Sequence, residues 1–479
     1  MIDGLKPYPA MKDSGVPWLG EVPEHWGIHR LGALMRERGE TNDDGRVTDV
    51  LSVMRERGVI PYAEKGNVGN KKSDDTTRYK VVRPDDIVVN CMNVIIGSVG
   101  ISRYTGCLSP VYYVLTRRNA NDSPHYLNAY FQAKSFQRSL VRIGNGILAH
   151  RMRIPMELLK CEMFPHPPIQ EQSTIVRFLD HADQRIRRYI RTKQKLIKLL
   201  EEQKQAIILR AVTRGLDPNV RLKPSGLEWL GDVPEHWEVR KLGTLGMFFK
   251  GRGIARADIT ETGVPAITYG DIYTRYGVEV KVLSKCTSPE VAANAQEILR
   301  GDLLFTASGE TIEEIGKTTL YSGDVPGYAG GDVIIFRLAV DYGLYISYVL
   351  NSDLGVRQKS ALGRGDIIVH ISATKLKQID VPIPPQDEAI AIARLLDQTT
   401  ANITNAIEYA HREISLLREY RTRLIADVVT GKLDVRGVAA SLPKEADELE
   451  THDDADAEAE GDVDSAEGNL DVPPEEAEV

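Results

Sequence analysis

The sequence predicts a mixed α/β (α+β) fold: two similar globular blocks, two long antiparallel coiled-coil helices, and a pseudo-two-fold internal repeat. Residues 13–32 and 224–243 are identical at 12 of 20 positions. A second pair of segments, 167–217 and 384–434, matches at a constant offset of 217 and carries apolar residues at helical spacing. A period this long is not that of a solenoid, so each copy is expected to have its own core.

The two globular blocks are predicted at residues 1–165 and 218–384. In the first, residues 86–90 are typical of a strand that follows a turn, and residues 300–305 correspond to them in the second. A helix is predicted from His125 to about Arg142, and Tyr345 opens a comparable helix in the second block.

The long helices are predicted at residues 166–217 and 385–437, each about 60 Å long at 1.5 Å per residue. Paired prolines at 167–168 and 384–385 end a strand and start each helix, and Gly215 and Gly431 end them. Steps of four and three predict a heptad seam in each. The first seam contains Ile175, Leu179, Ala182, Ile186, Tyr189, Lys193, Leu196, Leu200, Gln203 and Ile207. The second contains Ile392, Leu396, Thr399, Ile403, Ala406, Ala410, Glu413, Leu417, Tyr420 and Leu424.

Such helices can also serve only for oligomerisation, but the matched spacing of the two copies favours pairing within the chain. After them, residues 438–479 are predicted to be a disordered acidic tail. Residues 439–479 contain 16 Asp or Glu and one Lys, a net charge of −15. The whole chain carries −8, which leaves +7 on residues 1–438. A mildly basic body permits nucleic-acid binding without requiring it.

Composition excludes several classes of protein. The N-terminus lacks the apolar region of a signal peptide, and no apolar run approaches the length of a membrane span. Cys91, Cys107, Cys161 and Cys286 form no CxxC pair, so neither a zinc site nor a disulfide framework is expected. These features predict a protein of the reducing cytoplasm.

Motifs for catalysis are also missing. The Gly316-Lys317-Thr318 stretch lacks the first glycine of a phosphate-binding loop, because Thr311 stands in its place. No GxGxxG follows a strand, and no Asn/Asp-Pro-Pro-aromatic stretch of an amino-methyltransferase is present. We therefore expect no catalytic centre and no metal site in this chain.

Two sets of polar residues are interpreted as structural. The acidic pairs 85–86 and 313–314 lack a lysine at nuclease-like spacing and are interpreted as turn and surface charges. His25 and His236 lie inside the repeated Val-Pro-Glu-His-Trp, each beside a tryptophan, and are too isolated to bind a metal.

The order of block, helix, block, helix resembles the specificity subunit of type I restriction-modification systems. Each block opens with Trp-Leu-Gly-x-Val-Pro-Glu-His-Trp and closes with Pro-Pro before a Gln/Glu-rich helix start (170–172 and 386–388). Residues 250–254, 269–273 and 369–371 are similar to one subclass of that family's target-recognition domains, and residues 144–146 and 151–154 match less richly. The second helix departs from the family pattern, with Gln-Asp-Glu-Ala in place of a Glu-Gln pair.

The resemblance implies that each block reads one half of a split double-stranded DNA target and that the helices set the distance between the halves. It also implies docking of two modification (methyltransferase) subunits and of restriction (motor and nuclease) subunits. S-adenosylmethionine, ATP and Mg would belong to those partners, so no cofactor is expected on this chain. Two alternatives are a stand-alone DNA-binding scaffold without a methyltransferase partner, and an enzyme with an unrecognised centre such as a nuclease.

Candidates for DNA contact are basic, amide, aromatic and hydroxyl side chains in turns, because Arg, Lys, Asn and Gln read base edges and phosphates accept from any donor. In the first block they are Lys71, Lys72, Arg78, Asn93, Arg103, Asn145, His150, Arg151 and Arg153. In the second they are Lys250, Arg252, Arg256, Tyr269, Tyr273, Lys317, Arg364 and His370. Glycines beside Lys250, Arg252 and Arg364 are expected to let the backbone approach a phosphate. Each candidate can instead be a solvated surface residue.

Overall fold

The structure is a computed structural model that describes residues 4–55, 57–66, 71–146, 152–309, 311–312, 314–363 and 369–443. Up to the first long helix the strands are β1 (Met11–Asp13), β2 (Glu21–Pro23), β3 (Gly27–Arg30), β4 (Met35–Glu37), β5 (Leu51–Met54), β6 (Gly58–Pro61), β7 (Lys80–Val82), β8 (Ile87–Asn90), β9 (Val99–Ile101), β10 (Gly106–Leu108), β11 (Tyr112–Arg117) and β12 (Met163–His166). The helices are α1 (Leu31–Leu34), α2 (Pro124–Gln132), α3 (Lys134–Ser139), α4 (Met156–Leu159) and the long α5 (Ile169–Arg214).

The second half of the chain follows with its own strands. They are β13 (Leu222–Pro224), β14 (Asp232–Pro234), β15 (Glu238–Lys241), β16 (Gly246–Lys250), β17 (Ile259–Thr260), β18 (Val264–Ile267), β19 (Glu279–Val280), β20 (Lys285–Thr287), β21 (Gln296–Ile298), β22 (Asp302–Thr306), β23 (Ser308–Gly309), β24 (Thr318–Tyr321), β25 (Gly327–Ala329), β26 (Val333–Leu338), β27 (Val369–His370) and β28 (Asp380–Ile383). The helices are α6 (Tyr269–Thr274), α7 (Pro289–Ala292), α8 (Gly343–Asn351), α9 (Asp353–Leu362), α10 (Ala373–Leu376), the long α11 (Gln386–Val429) and α12 (Arg436–Ala440).

The chain divides into two compact units, and each contains part of both long helices. Unit 1 comprises Met1–Tyr189 and Leu416–Val479, and unit 2 comprises Ile190–Ser415. Mixed helix and strand content is therefore confirmed. None of the helices in the described ranges is both long and apolar enough to cross a membrane.

Unit 1 is built on an antiparallel sheet in the order β4-β11-β8-β9. Successive side chains of a strand point to opposite faces. Ile87 and Val89 accordingly enter the main core of the unit, whereas Val88 enters a smaller cluster on the other face. The main core also takes in the start of α5 and the end of α11, which supply Phe178 and Val428. The sheet is thus apolar on both faces, and one face is covered by the helices.

Unit 2 has a five-stranded sheet in the order β16-β26-β22-β24-β19. Leu303 and Phe305 point into a core shared with α8, the end of α5 and the start of α11, and Leu304 points into a second cluster. A separate five-stranded sheet, β17-β20-β18-β25-β21, enlarges this unit. The described part of unit 1 has smaller two-stranded pairs, β5-β6 and β10-β7.

The helix predicted from His125 to Arg142 is interrupted. Ala133 is extended (φ −66°, ψ 121°) and separates α2 from α3. The Gln137 side chain donates to the Phe131 carbonyl at 2.9 Å, which satisfies a carbonyl group that the break exposes. The prediction was correct for the helical region and wrong for its continuity.

The long helices begin and end where the prolines and glycines predict. Strands β12 and β28 stop before the paired prolines, and α5 and α11 follow them directly. Gly215 and Gly431 have φ of 70° and 77°, the left-handed conformation that favours glycine just after a helix.

The two helices pack together with opposite chain directions within each unit. In unit 2 the Lys193 ammonium lies 2.6 Å from the Glu413 carboxylate, and the Lys204 ammonium donates to the Thr404 hydroxyl at 2.8 Å. In unit 1 Arg421 pairs with Asp183. Partner numbers fall along α11 as they rise along α5, so the pairing is antiparallel.

The predicted heptad seam is wrong in the middle of both helices. Tyr189 and Leu196 are 52% and 41% exposed, whereas Ile197 is buried against Ala410 and Ile414. The buried positions of α5 recur every eleven residues instead, as in Ile175, Ile186, Ile197 and Ile208. Eleven residues in three turns (3.67 per turn) lie closer to the 3.6 of an α-helix than the heptad's 3.5, so the helices pair without a left-handed supercoil. On α11, Ala406 and Glu413 are likewise exposed.

The first residues of the predicted disordered acidic tail, 438–440, are instead part of a helix. Helix α12 covers Arg436–Ala440, and Ala439 is fully buried in the core of unit 1. Residues 444–479 lie outside the described residues.

The eleven-residue seam predicts that adjacent leucine and isoleucine side chains differ in their contribution to stability. Ile197→Ala should lower the free energy of unfolding by about 2–4 kcal/mol, because it leaves a cavity between the helices. Leu196→Ala should change it by less than about 1 kcal/mol, because this side chain is partly in solvent. Chemical denaturation of the two variants measures both values. A larger loss for Leu196→Ala would restore the heptad register.

Candidate nucleic-acid interface

The repeated Val-Pro-Glu-His-Trp motif holds the start of each long helix. In unit 1 the Glu171 carboxylate accepts hydrogen bonds from the Tyr8 hydroxyl (2.6 Å) and the Trp26 indole (3.1 Å), and it lies 2.8 Å from the His25 imidazole. Burial and the Glu171 acceptor raise the pKa of Tyr8 well above its ordinary value. His25 therefore has the structural position beside Trp26 that the sequence predicted.

Unit 2 repeats this arrangement without the tyrosine. The Glu388 carboxylate lies 2.7 Å from the His236 imidazole and accepts from the Trp237 indole at 3.1 Å. Both tryptophan side chains are fully buried. The motif thus fixes the helix starts and leaves the loops of each unit available for binding.

The first-block candidates fall on several loops. Lys71, Lys72 and Arg78 are exposed on the segment between β6 and β7. The Lys72 backbone N–H donates to the Tyr62 hydroxyl at 2.9 Å, and its ammonium lies 6.0 Å from the ring centroid of Tyr62. Arg103 is exposed in the turn between β9 and β10. These four therefore belong to two different loops.

Asn93, Asn145 and Arg153 are brought together at the end of β8. The backbones of Asn145 and Arg153 exchange hydrogen bonds at 2.9 and 3.0 Å, and the Ile154 N–H donates to the Cys91 carbonyl at 2.9 Å. The Arg153 side chain is next to the Cys91 thiol; burial raises the pKa of this thiol, and the arginine charge opposes the shift. His150 and Arg151, between these residues in sequence, lie outside the described residues.

In unit 2 one group of candidates forms where three loops meet. The Arg252 N–H donates to the Ala329 carbonyl at 3.1 Å, and the Gly330 N–H donates to the Ile267 carbonyl at 3.0 Å, just before Tyr269. Lys250, Arg252, Arg256 and Tyr269 are all exposed along these loops. A Cβ on Gly251 would lie 2.0 Å from the Gly330 carbonyl oxygen. The close approach of the Gly330 backbone therefore requires a glycine at position 251, in addition to the proposed approach of this backbone to a phosphate.

A second group surrounds the loop from Ser308 to Lys317. The Lys317 ammonium donates to the Tyr273 carbonyl at 2.9 Å, and the Tyr273 hydroxyl donates to Glu314. The His370 Nδ1 lies 3.0 Å from the Ser308 hydroxyl, where β23 pairs with β27. Tyr269 and Tyr273 stand four residues apart on α6, so this helix connects the two groups. Arg364 lies outside the described residues.

Lys359 is a functional candidate that the sequence analysis missed. It is 1% exposed on α9, and its ammonium donates to the Gly316 carbonyl at 2.8 Å. From the same helix the Ser360 hydroxyl donates to the Ile312 carbonyl at 2.8 Å. Two bonds from α9 thus hold the loop that carries Lys317. The sequence shows only that Lys359 follows Gly355 by four positions, and the structure shows that both lie on the inner face of α9.

Burial, and to a smaller extent the positive charge of Lys317, lower the pKa of Lys359 to about 7. Burial lowers the pKa of Lys317 as well. Lys317 and Lys359 therefore lie on either side of Gly316, where burial disfavours the charged form of both ammonium groups. An anion bound at this surface would stabilise the two positive charges.

Another correction concerns the acidic pairs. Asp86 is 2% exposed and accepts two hydrogen bonds from the Arg38 guanidinium, at 2.8 and 2.9 Å. It is a buried structural carboxylate and not a surface charge, whereas Asp85 is exposed with φ of 69° in the turn. Glu313 lies outside the described residues. Within the described ranges no three His, Cys, Asp or Glu side chains are grouped so as to hold a metal ion.

Two mixed α/β units, each built on parts of two long paired helices and each carrying basic and aromatic loops, define a coiled-coil two-domain protein. Residues 234–412 match the family described as type I restriction modification DNA specificity domain. Over 435 residues the chain is 24% identical to the type I restriction enzyme MjaVIII specificity subunit of Methanocaldococcus jannaschii, covering 87% of this chain and 95% of that relative. The chain is thus similar to type I restriction enzyme specificity subunits over most of its length.

Two further comparisons agree in extent. The putative type I restriction enzyme MjaX specificity subunit of the same organism is 24% identical over 448 residues, covering 87% of this chain and 96% of that relative. A solved structure described as "Structural basis underlying complex assembly and conformational transition of the type I R-M system" has a TM-score of 0.64 at 14% identity. It covers 85% of this chain and 98% of that chain, and it shows that the fold is shared.

The buried lysine predicts a pH-dependent contribution to stability. Its folded-state pKa of about 7 lies below the ordinary value of 10.5, so the unfolded chain binds more protons between these pH values and stability rises with pH. From pH 7 towards pH 10, the unfolding free energy of the wild type should gain up to about 1.4 kcal/mol per pH unit relative to Lys359→Met. Denaturation of both proteins across this range measures the difference. Parallel pH profiles would show that Lys359 titrates normally.

Proposed function

We propose that this chain is the DNA-recognition subunit of a type I restriction-modification complex, in which each unit reads one half of a bipartite duplex target. The observation that carries the proposal is the similarity to specificity subunits over 87% of this chain and 95% of the relative, a span that contains both units. The chain then supplies the sequence specificity of the complex and works in the cytoplasm, where the DNA is.

The chemistry of the loops supports DNA contact. Arginine and lysine pair with guanine edges and phosphates, and asparagine pairs with adenine. In unit 2 the Arg252 group and the Lys317 group are linked through α6, which presents Tyr269 as an exposed ring between them. In unit 1 Asn145 and Arg153 face each other across one backbone bridge. Each group combines donors for base edges with cations for phosphates.

The helices carry a second feature that supports partner docking. Tyr189, Leu196 and Leu199 are 52%, 41% and 53% exposed on α5, and Tyr409 and Leu416 are 70% and 56% exposed on α11. Tyr189 and Leu196 are positions of the predicted heptad seam that the pairing of the two helices does not use. Exposed apolar stripes on paired helices mark protein interfaces. We assign them to the docking of two modification subunits, with restriction subunits joining that core.

In this proposal the reactive groups belong to the partners. The modification subunits would bring S-adenosylmethionine and the restriction subunits would bring ATP and Mg. This chain binds DNA and positions it, and it performs no bond-making step itself.

Arg252 should contribute to specificity and not merely to affinity. In the assembled complex, Arg252→Ala should weaken binding to the mapped target about ten- to a hundredfold, since a bidentate base contact is worth about 1–3 kcal/mol, and weaken binding to random duplex far less. Fluorescence anisotropy with both duplexes measures the ratio. Arg357→Ala, which removes an exposed arginine from α9, is the matched control and should change neither value appreciably. Equal losses of affinity for both duplexes in Arg252→Ala would show that Arg252 contacts only phosphate.

Helix length should set the spacing of the half-sites. Inserting twenty-two residues into α5 after Ile197 and twenty-two into the paired part of α11 before Ala410 preserves the seam and adds about 33 Å to each helix. The preferred spacer should lengthen by about ten base pairs, close to one duplex turn, so that both half-sites keep the same face and both half-sequences stay the same. Inserting four residues in α5 alone breaks the seam and serves as the control. Selection from a library of spacers measures the change, and altered half-sequences would show that the helices are not a spacer.

A further inference from the structure

An exposed carboxylate lies within the group of unit 2 residues around the loop from Ser308 to Lys317. The Glu314 Oε2 accepts hydrogen bonds from the Tyr273 hydroxyl on α6 and from the Thr311 hydroxyl, the latter at 3.1 Å. Lys317 is a close neighbour, because burial lowers the pKa of its ammonium and the negative charge of Glu314 opposes that shift. The carboxylate therefore lies among residues to which the proposed function assigns DNA contact.

The main chain on both sides of Glu314 is fixed from α9. Before it, the Ile312 carbonyl accepts from the Ser360 hydroxyl at 2.8 Å, and after it the Gly316 carbonyl accepts from the buried Lys359 ammonium at 2.8 Å. Two hydrogen bonds to the side chain and two to the neighbouring backbone thus hold this carboxylate in place. The entropy cost of ordering an exposed glutamate is therefore met largely within the protein, before any ligand binds.

A fixed carboxylate on a DNA-binding surface opposes binding unless the DNA offers it a donor, because phosphates carry the same charge. In the major groove the donors are the exocyclic amino groups, N4 of cytosine and N6 of adenine. Adenine also presents the acceptor N7 beside N6, and N7 repels a carboxylate, whereas cytosine presents N4 without an acceptor of its own in the groove. Thymine O4 and guanine O6 are acceptors as well. Cytosine is therefore the base that an isolated carboxylate selects.

We propose that Glu314 is a specificity-determining residue that accepts a hydrogen bond from the N4 amino group of one cytosine in the half-site read by unit 2. Thr311 and Tyr273 position its carboxylate. Their hydroxyls fill the two lone pairs of Oε2, so the other oxygen, Oε1, is assigned to the base. The inference rests on the proposed function and deepens it, since it assigns one base pair to one side chain. The same carboxylate rejects the other bases by repulsion between acceptors.

Selection by the assembled complex from a duplex library with randomised half-sites measures the base preference at each position. In Glu314→Gln the preference for cytosine at one C·G position should fall about five- to a hundredfold, and adenine should gain there, because an amide pairs with adenine N6 and N7. All other positions of both half-sites should keep their preferences. Thr311→Val keeps the shape of the side chain and removes one donor to the carboxylate, so it should weaken the same preference at the same position by a smaller factor.

The matched control is Glu238→Gln, which removes the same charge from an exposed residue of β15 in unit 2 and should leave every preference unchanged. Unaltered preferences in Glu314→Gln would overturn the inference, and so would a change at a position that is not a C·G pair. Equally tighter binding to every duplex would also overturn it, since the carboxylate would then only repel phosphates. A wild-type complex that selects no bipartite motif would contradict the proposed function itself, so the two failures are distinguishable.

Discussion

One carboxylate in the first turn of each long helix organises the unit around it. Glu171 is 7% exposed and is satisfied by Tyr8, His25 and Trp26, which come from the N-terminal part of the same block. A buried carboxylate is costly unless its acceptors are filled, so this contact fixes the helix start relative to the motif. The end of the other long helix packs against the same motif. A Cβ on Gly431, just after that helix, would lie 3.1 Å from the Trp26 ring. Gly215 stands in the same relation to Trp237, at 3.3 Å.

This contact between the repeated motif and the ends of the long helices explains where the two copies agree and where they differ. The 12 identities in 20 residues fall on the motif that contacts the helix starts and ends, which both units need. The central sheets keep the corresponding strands in the same order, β4-β11-β8-β9 and β16-β26-β22-β24. The loops are unlike in length and residues, and only unit 2 has the second five-stranded sheet within the described ranges. A shared support with divergent loops is what two readers of different half-sites require.

Much of the architecture could be predicted because prolines, left-handed glycines and a long internal repeat are local signals. The seam of the long helices could not be predicted, because steps of four and three residues fit both a seven-residue and an eleven-residue period. Only the burial of Ile197 in the structure distinguishes the two periods. Asp86 was interpreted as a surface charge because its partner Arg38 is 48 residues away and belongs to another element. Lys359 was missed because a lysine on the apolar face of a helix is more often solvated through its long stem. The DNA candidates follow from residue type, which identifies donors and does not identify the bases they meet.

The central claim is that two units address two half-sequences on behalf of a methyltransferase. Sequencing of methylated adenines in the host genome, with this chain present and with it deleted, tests that claim most directly. The account predicts that deletion removes methylation from one bipartite motif, two short defined sequences separated by a fixed number of unspecified bases. Unchanged methylation, or loss from a single uninterrupted motif, would contradict it.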